Sequence, residues 1–228
     1  MTTQSSFHPR SARLLAVFSL VVFCLNLQAA PLATTEGLPE TTSNALHFES
    51  KGDASGKIII TGTSTLHDWE VLGDRIDGKL TLTPTYDAAQ NINWNTDLPI
   101  EATVRIPVNS LTSNKSRMDK IMFTAMNAKD HGTITFVLSS LEADEKAATV
   151  APIDGIEAIA HGKLTIAGKT RNVSFPAQIS GKADSLKITG EAELKMTDFG
   201  FDPPTAMLGA IRTGDTVTVS FLWTPTRK

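Results

Sequence analysis

The chain has 228 residues, a formal net charge of −3, 41% hydrophobic residues and a single cysteine. That mildly acidic balance, with no basic tail or acidic run, argues against general binding to nucleic acid, and one cysteine cannot build a disulfide framework. Stability must therefore come from a buried apolar core, and a chain of this length suits a single all-β domain.

The chain opens on a targeting pattern. Arg10 and Arg13 precede an apolar stretch from Leu14 to Leu27, which closes in the small residues Ala29 and Ala30. Residues 1–29 are read as a signal peptide cut before Ala30, since a later cut would place Pro31 first. The stretch is shorter than the about 20 apolar residues of a membrane-spanning helix, and no other segment is apolar enough to cross a bilayer. The mature chain is thus expected to be periplasmic or secreted and soluble, with no integral membrane segment. Cys24 raises the alternative of a lipoprotein signal, against which stands the bulky Phe23 before it. Residues 30–45, rich in Thr, Pro, Ser and Gly, read as a flexible leader, and residues 46–228 as the folded domain.

From there β-branched residues and period-two alternation dominate, punctuated by Gly, Asp and Asn, which predicts a meander of antiparallel strands. Ile76, Gly78, Leu80 and Leu82 face one way, as do Ile100, Ala102, Val104 and Ile106. The same holds for Ile156, Leu164 and Ile166; for Val173, Phe175, Ala177 and Ile179; for Leu186, Ile188, Ala192 and Leu194; and for Val217, Val219, Phe221 and Trp223. Gly168-Lys169 and the Gly181–Ser185 stretch sit at hairpin spacing. Glycines within the strand patterns, Gly78, Gly162 and Gly190, predict sharp bends where a sheet curls on itself. Closure into a barrel, which removes exposed edges, is the favoured architecture; a two-sheet sandwich is the alternative.

One segment breaks the β rhythm. Ser113 or Asn114 can cap a helix in which Met118, Ile121, Met122 and Ala125 recur at helical spacing, with Lys115, Arg117, Asp119 and Lys120 on the other face. Such an amphipathic helix belongs across an opening or flank of the barrel.

Read together, several segments resemble the YceI-like family. The turn Gly62-Thr63-Ser64-Thr65-Leu66-His67-Asp68-Trp69 is similar to its amino-terminal signature. The Ser113–Met126 helix leading into His131-Gly132-Thr133-Ile134-Thr135-Phe136 resembles its charged helix and following strand, and Gly162–Thr170 with Val173 its glycine hairpin. Phe199-Gly200-Phe201 and Gly214-Asp215-Thr216-Val217 fit its closing strands. The likeness spans residues 46–224, departing at Phe123-Thr124-Ala125-Met126-Asn127-Ala128, where many relatives carry an acidic helix ending in Phe-Phe or Phe-Asp. It implies an antiparallel, lipocalin-like barrel of about eight strands with one helix, whose apolar pore accommodates a polyisoprenoid or other long-chain lipid. It also implies a periplasmic setting and, as in relatives, a possible homodimer.

The residues expected to line that pore are Trp69, Leu80, Leu82, Val104, Ile106, Met118, Met122, Met126, Phe136, Leu164, Ile166, Phe175, Ile188, Phe201, Val219 and Phe221. Small inward residues, Gly78, Ala102, Gly162, Ala177, Gly190 and Ala192, would leave room, and methionines adapt to an alkyl chain. Lys115, Arg117 and Arg212 are candidates for an anionic head group, or equally solvated surface charges. No cofactor or metal is expected: His67-Asp68, Asp130-His131 and His161 could in principle meet, yet no metal-ligand spacing, cysteine ligand or Gly-x-Ser-x-Gly turn is present. His67 is read as a structural hydrogen-bonding residue beside Trp69, and the protein as a non-enzyme. The alternative is an envelope module with a packed interior and no ligand, in which Trp94 seats the Asp87–Asp97 loop or meets a partner.

Overall fold

The period-two alternation becomes a continuous antiparallel sheet. The computed structural model describes residues 45–86, 92–94, 97–143, 155–182 and 184–228, so the expected signal peptide, Cys24 and the leader as far as residue 44 lie outside the described residues. The strands are β1 (Leu46–Ser50), β2 (Gly56–Ser64), β3 (Trp69–Gly73), β4 (Asp77–Leu82), β5 (Ile100–Pro107), β6 (Leu111–Thr112), β7 (Thr133–Ala143), β8 (Gly155–Ile166), β9 (Lys169–Lys182), β10 (Ser185–Lys195), β11 (Thr205–Ala206), β12 (Ile211–Trp223) and β13 (Thr226–Arg227). Among the described residues a single α-helix, α1 (Ser116–Ala125), stands between β6 and β7.

The strands form a closed antiparallel barrel of eight staves. The first three staves are each broken: β1 and β2 flank residues 51–55, β3 and β4 flank 74–76, and β5 and β6 flank the 3-10 turn Val108–Ser110. Strands β7, β8, β9, β10 and β12 supply the other five. Closure comes from β12 pairing with β2, Phe221 opposite Ile58 and Trp223 opposite Gly56. The short β13 pairs with both β1 and β10 at one end.

The first two breaks are held by hydrogen bonds that satisfy backbone groups the ladder leaves open. Ser50 Oγ donates to the Ile76 carbonyl at 2.7 Å and accepts from Trp223 Nε1 at 2.6 Å, while the Ile76 amide donates to Ser55 Oγ at 2.8 Å. The Asp77 carboxylate accepts from the Gly52 amide at 2.7 Å and pairs with Arg75 at 2.8 Å. The Arg75 guanidinium holds the Asp77 carboxyl below the usual carboxylate range. A strand can therefore bend here without leaving buried polar atoms alone.

Turn chemistry and interior packing correct two expectations. The β8–β9 turn is Ala167-Gly168, one residue earlier than expected, with Ile166 opposite Lys169. Both central residues have positive φ, 47° and 76°, as a two-residue type I′ hairpin requires, so the glycine sits second in the turn rather than first. The interior glycines do not leave empty space either. A Cβ at Gly190 would lie 2.6 Å from Phe221 Cζ, one at Gly78 2.6 Å from Trp223 Cζ2, and Gly162 lies directly against the Phe136 ring. Each glycine is the recess into which an aromatic ring fits.

Helix α1 also starts later than its expected cap. Neither Ser113 nor Asn114 is its N-cap; that position is Lys115, without a side-chain cap. Asn114 instead takes φ 58°, a left-handed conformation Asn tolerates well. The anchoring runs in the opposite sense: Asp119 reaches back to accept from the Ser113 amide at 2.7 Å, Ser113 Oγ at 2.6 Å and Thr112 Oγ1 at 2.9 Å. Those donors hold its carboxyl below the ordinary aspartate range.

Candidate functional site

Among the described residues two adjoining cavities lie in the barrel interior. The larger, about 520 Å³, lies beneath α1 and is walled by Ile58, Ile60, Trp69, Val71, Ile106, Leu111, Ile134, Leu164, Ile166, Leu194, Val217 and Val219 from the staves. Met118, Ile121, Met122, Ala125 and Met126 roof it from the helix side. The smaller, about 140 Å³, is lined entirely by apolar residues, among them Leu80, Ala102, Val104, Phe136, Phe175, Ile188, Ala192 and Phe221. Ile58, Ile106, Leu164, Leu194 and Val219 line both, and so stand between them.

The alternation of the strands explains this arrangement. On β8 the residues 160, 162, 164 and 166 face inward, while His161 and its outward neighbours meet solvent. In the lower half Phe175 packs between Phe136 and Phe221, with ring centroids 5.3 and 5.7 Å apart, tilted and edge-to-face. These rings fill most of the space that the glycines open. Nearer the helix the staves carry aliphatic residues instead, and space remains.

Of the residues expected to line a pore, Trp69, Met118, Met122, Met126, Ile166 and Phe201 line the larger cavity, and Leu80, Val104, Phe136, Phe175, Ile188 and Phe221 the smaller. Ile106, Leu164 and Val219 line both. Leu82 lines neither: it is fully buried, paired with Leu46 one inward step beyond Leu80. Lys115 and Arg117 border the larger cavity, whereas Arg212 does not; its amide donates to Thr65 Oγ1 and its Nε to the Gly209 carbonyl, both at 3.2 Å.

Several wall residues carry no signal that alternation detects. Ile58 and Ile60 are hidden in the run Ile58-Ile59-Ile60, where Ile59 is exposed and breaks the polar-outward rule. Met196, Phe199, Pro204, Thr205, Met207 and Ile211 come from the irregular β10–β12 connection and the start of β12. That connection is pinned by Asp215, which accepts from the Thr197 amide at 3.0 Å and Thr197 Oγ1 at 2.7 Å. The same bonds hold the Asp215 carboxyl low.

The polar residues in the wall of the larger cavity are Ser64, His67, Lys115, Arg117, Lys195, Thr205 and Thr213. Trp69 turns its indole N–H outward to the Thr63 carbonyl at 3.0 Å, which leaves its ring for the apolar wall. His67 sits at the same rim, its Nδ1 2.8 Å from the Asp68 carbonyl and its amide bonded to Ser64 Oγ. His161 lies on the outer face, its Nδ1 2.7 Å from Ser174 Oγ and its Nε2 3.3 Å from Glu142, and the His131 ring stacks on Gly168. Among the described residues no three His, Cys, Asp or Glu side chains gather where a metal ion would be held. Trp94 is half-buried against the core.

The sequence profile of the YceI-like domain matches residues 61–224. The chain belongs to the YceI-like family. This YceI-like barrel is similar in structure to Burkholderia cenocepacia BcnA, at 18% identity and a TM-score of 0.55, covering 77% of this chain and 99% of that one. It is also similar to a polyisoprenoid binding domain from Saccharophagus degradans implicated in plant cell wall breakdown, at 12% identity and a TM-score of 0.56, covering 80% and 99%. No curated protein matches the sequence. Among the described residues no helix is long and apolar enough to cross a membrane.

Proposed function

We propose that the barrel binds, sequesters or carries a long-chain apolar ligand, a polyisoprenoid or another lipid, without chemical transformation. The observation that carries this reading is the largely apolar interior: a cavity of about 520 Å³ beneath a methionine-rich helix, adjoining a second of about 140 Å³ with which it shares Ile58, Ile106, Leu164, Leu194 and Val219. The larger falls within the about 300–1,000 Å³ of small-molecule sites. A chain of linked methylenes suits a space whose walls are mostly apolar and offer dispersion contact. Each buried methylene contributes about 0.8 kcal/mol, so about ten offset a typical association cost. The polyisoprenoid binding named for the Saccharophagus degradans relative supports the same ligand class.

Lys115 and Arg117, at the mouth, are placed to meet an anionic head group while the tail lies inward. The family and the amino-terminal pattern of Arg10, Arg13 and Leu14–Leu27 support a periplasmic site of action after removal of residues 1–29. The test is a titration with a fluorescent polyene fatty acid, read by quenching of Trp69 and Trp223, followed by displacement with isoprenoid alcohols of rising length. Saturable quenching displaced best by the longer alcohols supports the carrier; absence of quenching and of displacement favours a packed envelope module.

A further inference from the structure

We propose that the rim of the larger cavity is a docking surface for an anionic lipid bilayer, the source or destination of its ligand. The inference rests on the lipid-carrier reading and adds where the exchange takes place. Two loops meet at the mouth: Ser64–Asp68 between β2 and β3, and residues 200–210 between β10 and β12. They are tied together, since the Thr65 amide donates to the Arg212 carbonyl at 3.0 Å and Thr65 Oγ1 to the Ala210 carbonyl at 3.2 Å. On this joined tip Leu66 and Met207 are 67% and 70% exposed and Leu208 is wholly exposed.

A single exposed leucine needs no explanation; three large apolar side chains on one tied pair of loops do. The backbone is also held in an unfavourable form to present them. Met207 and Leu208 have φ of 50° and 58°, conformations that side-chain-bearing residues seldom adopt, and Gly209 continues at 88°. Lys115 and Arg117 border the same mouth and Arg212 follows the second loop. None of the three lies within ion-pair distance of a carboxylate among the described residues, although Asp68 and Asp202 belong to the two loops. Cations beside an apolar tip, in a chain whose net charge is −3, match an anionic interface. A stable second copy would need about 800 Å² buried per partner, more than three side chains supply. A bilayer needs only shallow insertion of a few.

The test is flotation with vesicles of phosphatidylethanolamine and phosphatidylglycerol against vesicles of phosphatidylcholine alone. The wild type should float with the anionic vesicles, less so at high salt, and the double variant Leu66→Ser, Leu208→Ser, which leaves the cavity wall intact, should lose about tenfold or more of that binding. The variant should still take up the polyene acid added from solution, but acquire it from vesicles more slowly. Wild-type protein that takes up the acid yet fails to float overturns the docking surface and leaves the carrier standing. Flotation without uptake retains the docking surface and overturns the carrier. Self-association in sedimentation that the double variant abolishes, with no flotation, overturns the bilayer in favour of a second copy.

Discussion

Replacing Ala102 and Ala192 together by leucine places two branched side chains in the smaller cavity, whose wall both residues share. An unfilled apolar cavity costs about 24 cal/mol per Å³, so a ligand tail that fills the 140 Å³ gains about 3 kcal/mol there. Excluding the tail should therefore weaken a long ligand by about two orders of magnitude. A ligand short enough to remain in the larger cavity should keep its affinity, and the empty protein should be unchanged or about 0.5–2 kcal/mol more stable, as for other cavity-filling changes. Displacement titrations across isoprenoid alcohols of increasing length, with urea unfolding as control, measure both quantities. Equal weakening at every length, or none at the longest, would refute the passage of a chain from the larger cavity into the smaller between Ile58, Ile106, Leu164, Leu194 and Val219.

Gly190→Val should destabilise by about 1–3 kcal/mol in urea unfolding, because its Cβ would sit 2.6 Å from Phe221 Cζ and 2.9 Å from the Pro176 carbonyl; adding Phe221→Leu should recover part of the loss. At the β8–β9 turn, Ala167→Asn should raise stability by a few tenths to about 1 kcal/mol and Gly168→Ala lower it by a similar amount, since both positions have positive φ. Asp119, whose carboxyl is lowered by hydrogen bonds from Ser113 and then Thr112, stabilises the start of α1 fully above its unfolded value, and that contribution is lost as pH falls through the lowered folded value. Amide exchange across residues 116–125 should accelerate only below the ordinary aspartate range, and Asp119→Asn should remove that acid step while speeding exchange at neutral pH. Glu49, Asp77 and Asp215 are lowered in the same direction, so the readout must be local to the helix.

How far the sequence foretells the molecule depends on how each part is held. Inward positions such as Leu164, Ile166, Phe175 and Val219 follow from period two, because a stave with one wet and one dry face must alternate. The methionine face of α1 follows in the same way from its 3.6-residue repeat. The breaks in the first three staves are not legible, since Ser50, Asp77 and Trp223 are far apart in sequence and meet only through barrel closure. Nor is the aromatic filling of the glycine recesses, because cross-strand register, which pairs Gly190 with Phe221 and sets Gly162 diagonally across from Phe136, is a tertiary outcome. Leu82 shares the alternation of Leu80 yet stands beyond the end of the cavity, a distinction of depth that periodicity does not encode. The residue 196–211 connection lacks periodicity altogether, and its wall residues appear only once Asp215 pins it to β12.

The central claim, a long-chain apolar ligand within the barrel, is tested most directly by native mass spectrometry of the protein purified from its own type of host, with solvent extraction of whatever is released. The account predicts a stoichiometric adduct that yields an isoprenoid or other long-chain lipid. A clean apo mass, in protein that also takes up neither isoprenoids nor fatty acids, would contradict it.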